Sequence, residues 1–137
     1  MNIEFSDTIK PRITDINYGG HVGHIELINL LHEIRVRFLD IHSLKETDIN
    51  GHVLMMHNLN ITYKKQIFWN NELQIQMNTI CDGVRIIFNY NIFNNTLGNE
   101  AAIAQATMIL MDIIKEKPVR PENFIKALKN VNNEGKF

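Results

Sequence analysis

The strongest constraint on the fold is one long helical pattern that is apolar around most of its circumference. Between about Gly23 and Ser43, apolar residues recur at three- and four-residue steps, and others form a second apolar side. The recurring residues are Leu27, Leu30, Leu31, Ile34, Phe38 and Ile41, and the second side consists of Ile25, Ile28, Val36 and Leu39. Such a helix is mostly buried, and in a chain of 137 residues a sheet must cover it.

The remaining sequence supplies that sheet. Segments rich in β-branched and aromatic residues span 52–63, 72–81, 84–93 and 100–114, and residues 2–14 form an earlier strand with a kink at Pro11. Short turns between the later segments favour antiparallel hairpins. A short helix from Glu122 to about Val131 and a loose tail over residues 132–137 follow.

This order predicts an α+β protein with a single domain over residues 1–137. Its core is a five-stranded antiparallel sheet wrapped around one central helix, followed by a short C-terminal helix. The open edges of such a sheet favour a homo-oligomer.

Composition and charge exclude several classes of function. Fourteen Lys and Arg residues against 15 Asp and Glu residues give a net charge of −1, so we expect no nucleic-acid partner and no membrane-surface partner. Apolar stretches are interrupted by charge before reaching the roughly 20 residues of a membrane span. The single cysteine, Cys81, excludes an internal disulfide. With no leader pattern at the N-terminus, we expect a reduced, cytoplasmic location.

One motif carries a family resemblance. Asp15-Ile-Asn-Tyr-Gly-Gly-His-Val-Gly-His24, followed by Leu30-Leu-His-Glu-Ile-Arg35, resembles the hotdog-fold acyl-CoA thioesterases of the 4-hydroxybenzoyl-CoA thioesterase-like group, near the long-chain acyl-CoA thioesterases. Asn60–Tyr63 and Ala101–Asp112 match strands of that family. The resemblance implies dimers joined edge to edge, often assembled into tetramers. It also implies a thioester site at the dimer interface, beside the N-terminus of the central helix, with no metal and no cofactor.

The sequence departs from the family at one position. The family's usual catalytic carboxylate aligns with Asn17, and an amide cannot take a proton from water at neutral pH. The chemistry is therefore either redistributed among other residues, or the protein binds acyl-CoA without hydrolysing it.

Thioester hydrolysis needs an activated water and hydrogen-bond donors for the developing oxyanion. Asn17 is predicted to position the water, and the alternative is a residue that only forms a local turn. The candidate proton acceptors are Asp15, Glu33 and the two histidines His21 and His24, which could instead bind the substrate. Asp15 could instead satisfy loop N–H groups, and Glu33 could pair with Arg37. By resemblance, the oxyanion donor is the backbone amide of His24 or of its immediate neighbour.

The loop before the helix is predicted to bind the substrate. The residues assigned to this role are Gly19, Gly20, His21, Val22 and Gly23. Glycine allows the thioester carbonyl to approach the backbone closely, although the same glycines also suit a tight turn. The predicted function is hydrolysis of acyl-CoA or acyl-carrier-protein thioesters in lipid metabolism by a homodimer or homotetramer. The alternative is a non-catalytic acyl-CoA-binding hotdog protein.

Overall fold

A computed structural model describes residues 4–134 of the protein. Its elements are β1 (Phe5–Ile9), a one-turn 3-10 helix (Ile13–Asp15), α1 (His24–Ile41), β2 (Val53–Tyr63), β3 (Leu73–Asp82), β4 (Arg85–Asn94), β5 (Asn99–Asp112), β6 (Lys117–Pro118) and α2 (Glu122–Glu134). The predicted order of strand, helix, four strands and short helix is confirmed. The described helices include none that is long and apolar enough to cross a membrane.

The strands form one antiparallel sheet in the order β1-β3-β4-β5-β2, and the two-residue β6 pairs with β5. The register of β1 on β3 runs from Phe5 opposite Met77 to Ile9 opposite Leu73. The five predicted strands are thus present, and β6 is an addition that the sequence did not indicate. Strands β1 and β2 lie at the two ends of this path.

Both ends of the chain differ from the sequence-based boundaries. Strand β1 stops at Ile9 because Pro11 has no N–H for a ladder, and the chain then turns into the 3-10 helix. Helix α2 continues to Glu134, so the prediction of a loose tail is wrong for residues 132–134. Residues 135–137 of that tail, and residues 2–3 of the first predicted strand, lie outside the described residues.

The chain divides into two compact units. The first comprises the described residues through Arg35 together with Asn60–Asn78 and Asn89–Gln105. The second comprises Val36–Leu59, Thr79–Phe88 and the described residues from Ala106 onward. Buried apolar side chains of the first unit include Leu30, Ile34, Leu73, Ile75, Met77 and Ile92, and those of the second include Phe38, Ile49, Ile86, Phe88, Leu110 and Phe124.

Helix α1 is less buried than its pattern predicts. The side chains Leu27, Leu30, Leu31, Ile34, Phe38 and Leu39 are each at most 5% exposed. Ile25, Val36 and Ile41 are 58%, 44% and 54% exposed. One sheet face covers only one side of a helix, so part of the apolar surface of α1 remains open in the single chain.

A buried polar contact joins α1 to β4 within the first unit. The Arg35 Nη1 group donates a hydrogen bond to the Tyr90 hydroxyl oxygen over 3.1 Å, and both residues are buried. Tyr90→Phe removes the acceptor of the Arg35 hydrogen bond. Because a buried charged donor without its partner destabilises the folded state, this variant is expected to lower the free energy of unfolding by about 1 kcal/mol. Urea denaturation measures this, with Tyr18→Phe as the control because Tyr18 is fully exposed. Equal free energies of unfolding for the two variants would contradict a contribution of the Arg35–Tyr90 contact to stability.

Candidate active site

The loop before α1 is a short hairpin. An antiparallel bridge joins Ile16 to Val22, and the Asn17 N–H donates to the His21 carbonyl over 3.0 Å. Inside it, the Gly20 N–H donates to the Asn17 carbonyl over 3.0 Å. Gly20 has a φ of +86°, a left-handed conformation that glycine adopts without steric cost. The hairpin therefore fixes the direction in which the chain enters α1.

The segment after β2 fixes the other side of this hairpin. The Val22 N–H donates to the Ile67 carbonyl over 2.7 Å, and His21 forms an antiparallel bridge with Phe68. The next hydrogen bond, from the Leu27 N–H to the Gly23 carbonyl, opens the helix. The N–H groups before Leu27 consequently have no partner inside the helix, and they point out of its N-terminal end.

A cavity of about 460 Å³ lies between this hairpin, the start of α1 and the segment after β2. Its lining residues are Asn17, His21, Val22, His24, Leu27, Tyr63, Lys64, Lys65, Gln66 and Ile67. Asn17, His21, Val22 and His24 had been assigned to the site from the sequence, and the structure brings them together here. The other assigned residues, Asp15, Gly19, Gly20, Gly23 and Glu33, do not line the cavity.

The two polar atoms of the Asn17 side chain, Oδ1 and Nδ2, differ in their contacts. Its Oδ1 accepts a hydrogen bond from the Gly19 N–H over 2.9 Å, which is the turn role considered for this residue. Its Nδ2 donates to no other group within the described residues. Asn17 is half-buried, so the free amide is available to a water molecule or a carbonyl in the cavity.

The two histidines of the loop differ in their contacts. The His21 Nδ1 lies 3.2 Å from the Val22 carbonyl oxygen, which can only accept, so we assign the ring proton to Nδ1 and leave Nε2 as an acceptor. The His24 carbonyl accepts a hydrogen bond from the Tyr63 hydroxyl over 3.1 Å. Burial raises the pKa of the Tyr63 phenol, which favours the protonated, donating form. Tyr63 thus helps to hold the first residue of α1 in place.

The predicted carboxylates lie elsewhere. Asp15 is 5% exposed, and its Oδ2 accepts a hydrogen bond from the Arg12 N–H over 2.7 Å and lies 3.8 Å from Arg12 Nε. These contacts cap the 3-10 helix. Glu33 is an exposed residue of α1, two turns and about 10 Å beyond Glu26 along the helix axis.

Glu26, which the sequence analysis does not assign to the site, is the carboxylate beside Gly23. A Cβ atom added to Gly23 would collide with Glu26 Oε1, and it would lie 3.8 Å from Asn17 Nδ2. Glu26 is half-buried and makes no ion pair or hydrogen bond within the described part of the chain. The available sequence signal was the acidic residue three positions after the glycine that opens the helix.

Sequence reasoning also missed the lysines that line the cavity. Lys64 pairs with Glu100, and the hydrogen bonds from Lys64 and then Asn91 lower the pKa of the Glu100 carboxyl. Lys65 is exposed and makes no ion pair within the described residues. Their signal was the pair of basic residues at the end of a predicted strand. Across residues 4–134, no group of three or more His, Cys, Asp and Glu side chains could hold a metal ion.

Comparison with known families identifies the class of protein. The model of the thioesterase-like superfamily matches residues 11–128, and the chain belongs to this superfamily. The predicted hotdog fold is confirmed by solved structures that match along nearly the whole chain. A search of curated protein sequences gives no match.

Three of the matching structures illustrate the likeness. The 1,4-dihydroxy-2-naphthoyl-CoA thioesterase Slr0204 from Synechocystis has a TM-score of 0.82 and 16% identity, covering 93% of this chain and 97% of that one. The DHNA-CoA thioesterase from Staphylococcus aureus has a TM-score of 0.77 and 22% identity, covering 96% and 95%. The S. aureus protein SAV2348, solved in complex with CoA, has a TM-score of 0.79 and 17% identity, covering 97% and 87%.

Proposed function

We propose that the protein hydrolyses acyl-CoA thioesters to the free acid and CoA. The observation that carries this proposal is the cavity at the N-terminus of α1, where Asn17, His21 and His24 meet beside N–H groups that have no partner inside the helix. Thioester hydrolysis needs such an arrangement, because a water must be held beside a carbonyl whose oxygen gains negative charge.

The backbone N–H of His24 is the proposed oxyanion donor. It belongs to the first residue of α1, and His24 lines the cavity. A helix N-terminus offers free N–H groups and the positive end of the helix dipole, and both favour an oxyanion. On the same wall, the Asn17 amide is proposed to hold the attacking water through Nδ2.

Lys65 supports CoA as the thiol carrier. It is an exposed cation on the cavity rim, and CoA carries phosphate groups that an ammonium group binds well. The complex of SAV2348 with CoA shows that a protein of this fold can bind the same carrier. An acyl carrier protein remains the alternative, and its phosphopantetheine arm would bring the same thioester to the cavity.

We propose that the protein works as a homodimer, with tetramers as a further assembly and the site at an interface between subunits. Strand β2 is at the end of the sheet path, and its residues 55–58 are all exposed. Because successive residues of a strand point to opposite faces, both faces of β2 are open there. Light scattering at micromolar concentration is expected to give the mass of a dimer or tetramer, and a folded monomer would contradict this proposal.

The second candidate function is binding of acyl-CoA without turnover, which Asn17 in the carboxylate position favours. A panel of acyl-CoA substrates with detection of the released thiol separates the two functions. Thiol release that depends on enzyme concentration supports hydrolysis. Thermal stabilisation by acyl-CoA with no thiol release would support the binding function instead.

A further inference from the structure

We infer that Glu26 is the catalytic general base of this site, an inference that rests on the proposed thioester hydrolysis. The reaction needs a group that takes a proton from the attacking water, and the Asn17 amide cannot do so at neutral pH. A carboxylate within reach of the water held by Asn17 would fill that role.

The other nearby acids are poorly placed for it. Asp15 is buried, and its Oδ2 already accepts a hydrogen bond from the Arg12 N–H. Glu33 is exposed and lies about 10 Å along α1 from Glu26, which is beyond the reach of a water bound to Asn17.

The Glu26 carboxylate and the Asn17 amide both lie close to Gly23. The carboxylate is folded over Gly23, so that one oxygen occupies the space that any other residue's Cβ would fill. The Asn17 Nδ2 would lie 3.8 Å from a Cβ atom added to Gly23. The absence of a side chain at Gly23 thus leaves the space in which the Glu26 carboxylate lies. Glu26 has no competing partner within the described residues, so its oxygens are free to accept a proton.

The water oxygen, held by Asn17, forms a bond to the thioester carbonyl carbon while its proton passes to the Glu26 carboxylate. The carbonyl oxygen becomes an oxyanion that the His24 N–H stabilises. Collapse of this intermediate breaks the carbon–sulfur bond, and the leaving thiolate of CoA receives the proton from Glu26. The products are the carboxylic acid and CoA thiol, and Glu26 returns to its ionised form.

The test combines a loss variant with a rescue variant. Glu26→Gln keeps the shape of the side chain but removes the proton acceptor, and it is expected to lower kcat at least about tenfold with a KM within about threefold of the parent. Adding Asn17→Asp to Glu26→Gln is expected to recover activity, because a carboxylate then stands at the neighbouring position. The matched control is Glu122→Gln, which removes the first-turn acid of α2 and should leave kcat unchanged.

The outcomes separate this inference from the proposed function. If the parent protein releases no thiol from any acyl-CoA, the proposed function fails. If the parent is active and Glu26→Gln keeps its kcat, the function stands and the assignment of Glu26 is wrong. A first-turn acid that only stabilises the helix would lower the melting temperature of Glu26→Gln without lowering kcat. A kcat of the double variant no higher than that of Glu26→Gln would likewise contradict the shared role of the two positions.

Discussion

The Asn17→Ala variant is expected to hydrolyse acyl-CoA with a kcat at least about tenfold below that of the parent, a loss of about 1.4 kcal/mol of transition-state stabilisation. The reason is the Nδ2 amide of Asn17, which has no partner within the described residues. Asn17 lines the cavity together with His24. Steady-state kinetics with an acyl-CoA that the parent hydrolyses measures the effect.

The Asn17→Ser variant distinguishes this role from that of a turn residue. A serine hydroxyl can still accept the hydrogen bond that Asn17 Oδ1 receives from the Gly19 N–H, but it does not reproduce the position of Nδ2. We therefore expect Asn17→Ser to retain the stability of the parent and to lose kcat as Asn17→Ala does. Parent-like kcat in both variants would show that Asn17 only shapes the loop.

The largest expected loss of stability comes from Phe124→Ala. Phe124 of α2 and Phe88 of β4 are both fully buried, with ring centroids 6.0 Å apart in an edge-to-face arrangement. Removing an aromatic side chain from such a contact takes away its buried area and leaves a cavity, which costs about 3–5 kcal/mol. Urea denaturation followed by circular dichroism is expected to show this decrease.

Lys126→Ala is the matched control for that measurement. Lys126 is an exposed residue of the same helix, so its truncation should change the free energy of unfolding by less than about 0.5 kcal/mol. A Phe124→Ala variant as stable as Lys126→Ala would mean that α2 does not contribute to the folded state through this contact.

The sequence predicted the fold well because its patterns are periodic and local. The apolar repeat of α1 and the turns at 70–71 and 82–83 placed the helix and the hairpins within a few residues. The pattern could not show which apolar residues of α1 would be covered, because Ile25 and Val36 are as apolar as the buried leucines. The two-residue β6 and the end of α2 depend on weak local preferences that carry little pattern.

Part of the site could also be predicted, because several of its residues are close together in the sequence. Asn17, His21, Val22 and His24 are neighbours in the sequence, and a single hairpin suffices to bring them to one cavity wall. Tyr63 is the last residue of β2 and Lys65 follows that strand, and only the folded chain brings them to the same cavity. Glu26 could not be assigned from the sequence, since its contact with Gly23 depends on a rotamer and not on spacing.

The most direct test of the central claim is a crystal structure of the protein with a ketone analogue of acyl-CoA, in which a methylene group replaces the thioester sulfur. This analogue keeps the carbonyl group but cannot be hydrolysed. The proposed site predicts its carbonyl oxygen within about 3.2 Å of the His24 backbone nitrogen, with the carbonyl carbon facing Asn17. An analogue bound outside the cavity at the start of α1, or one whose carbonyl has no contact with His24, would contradict the assignment of this cavity as the site of hydrolysis.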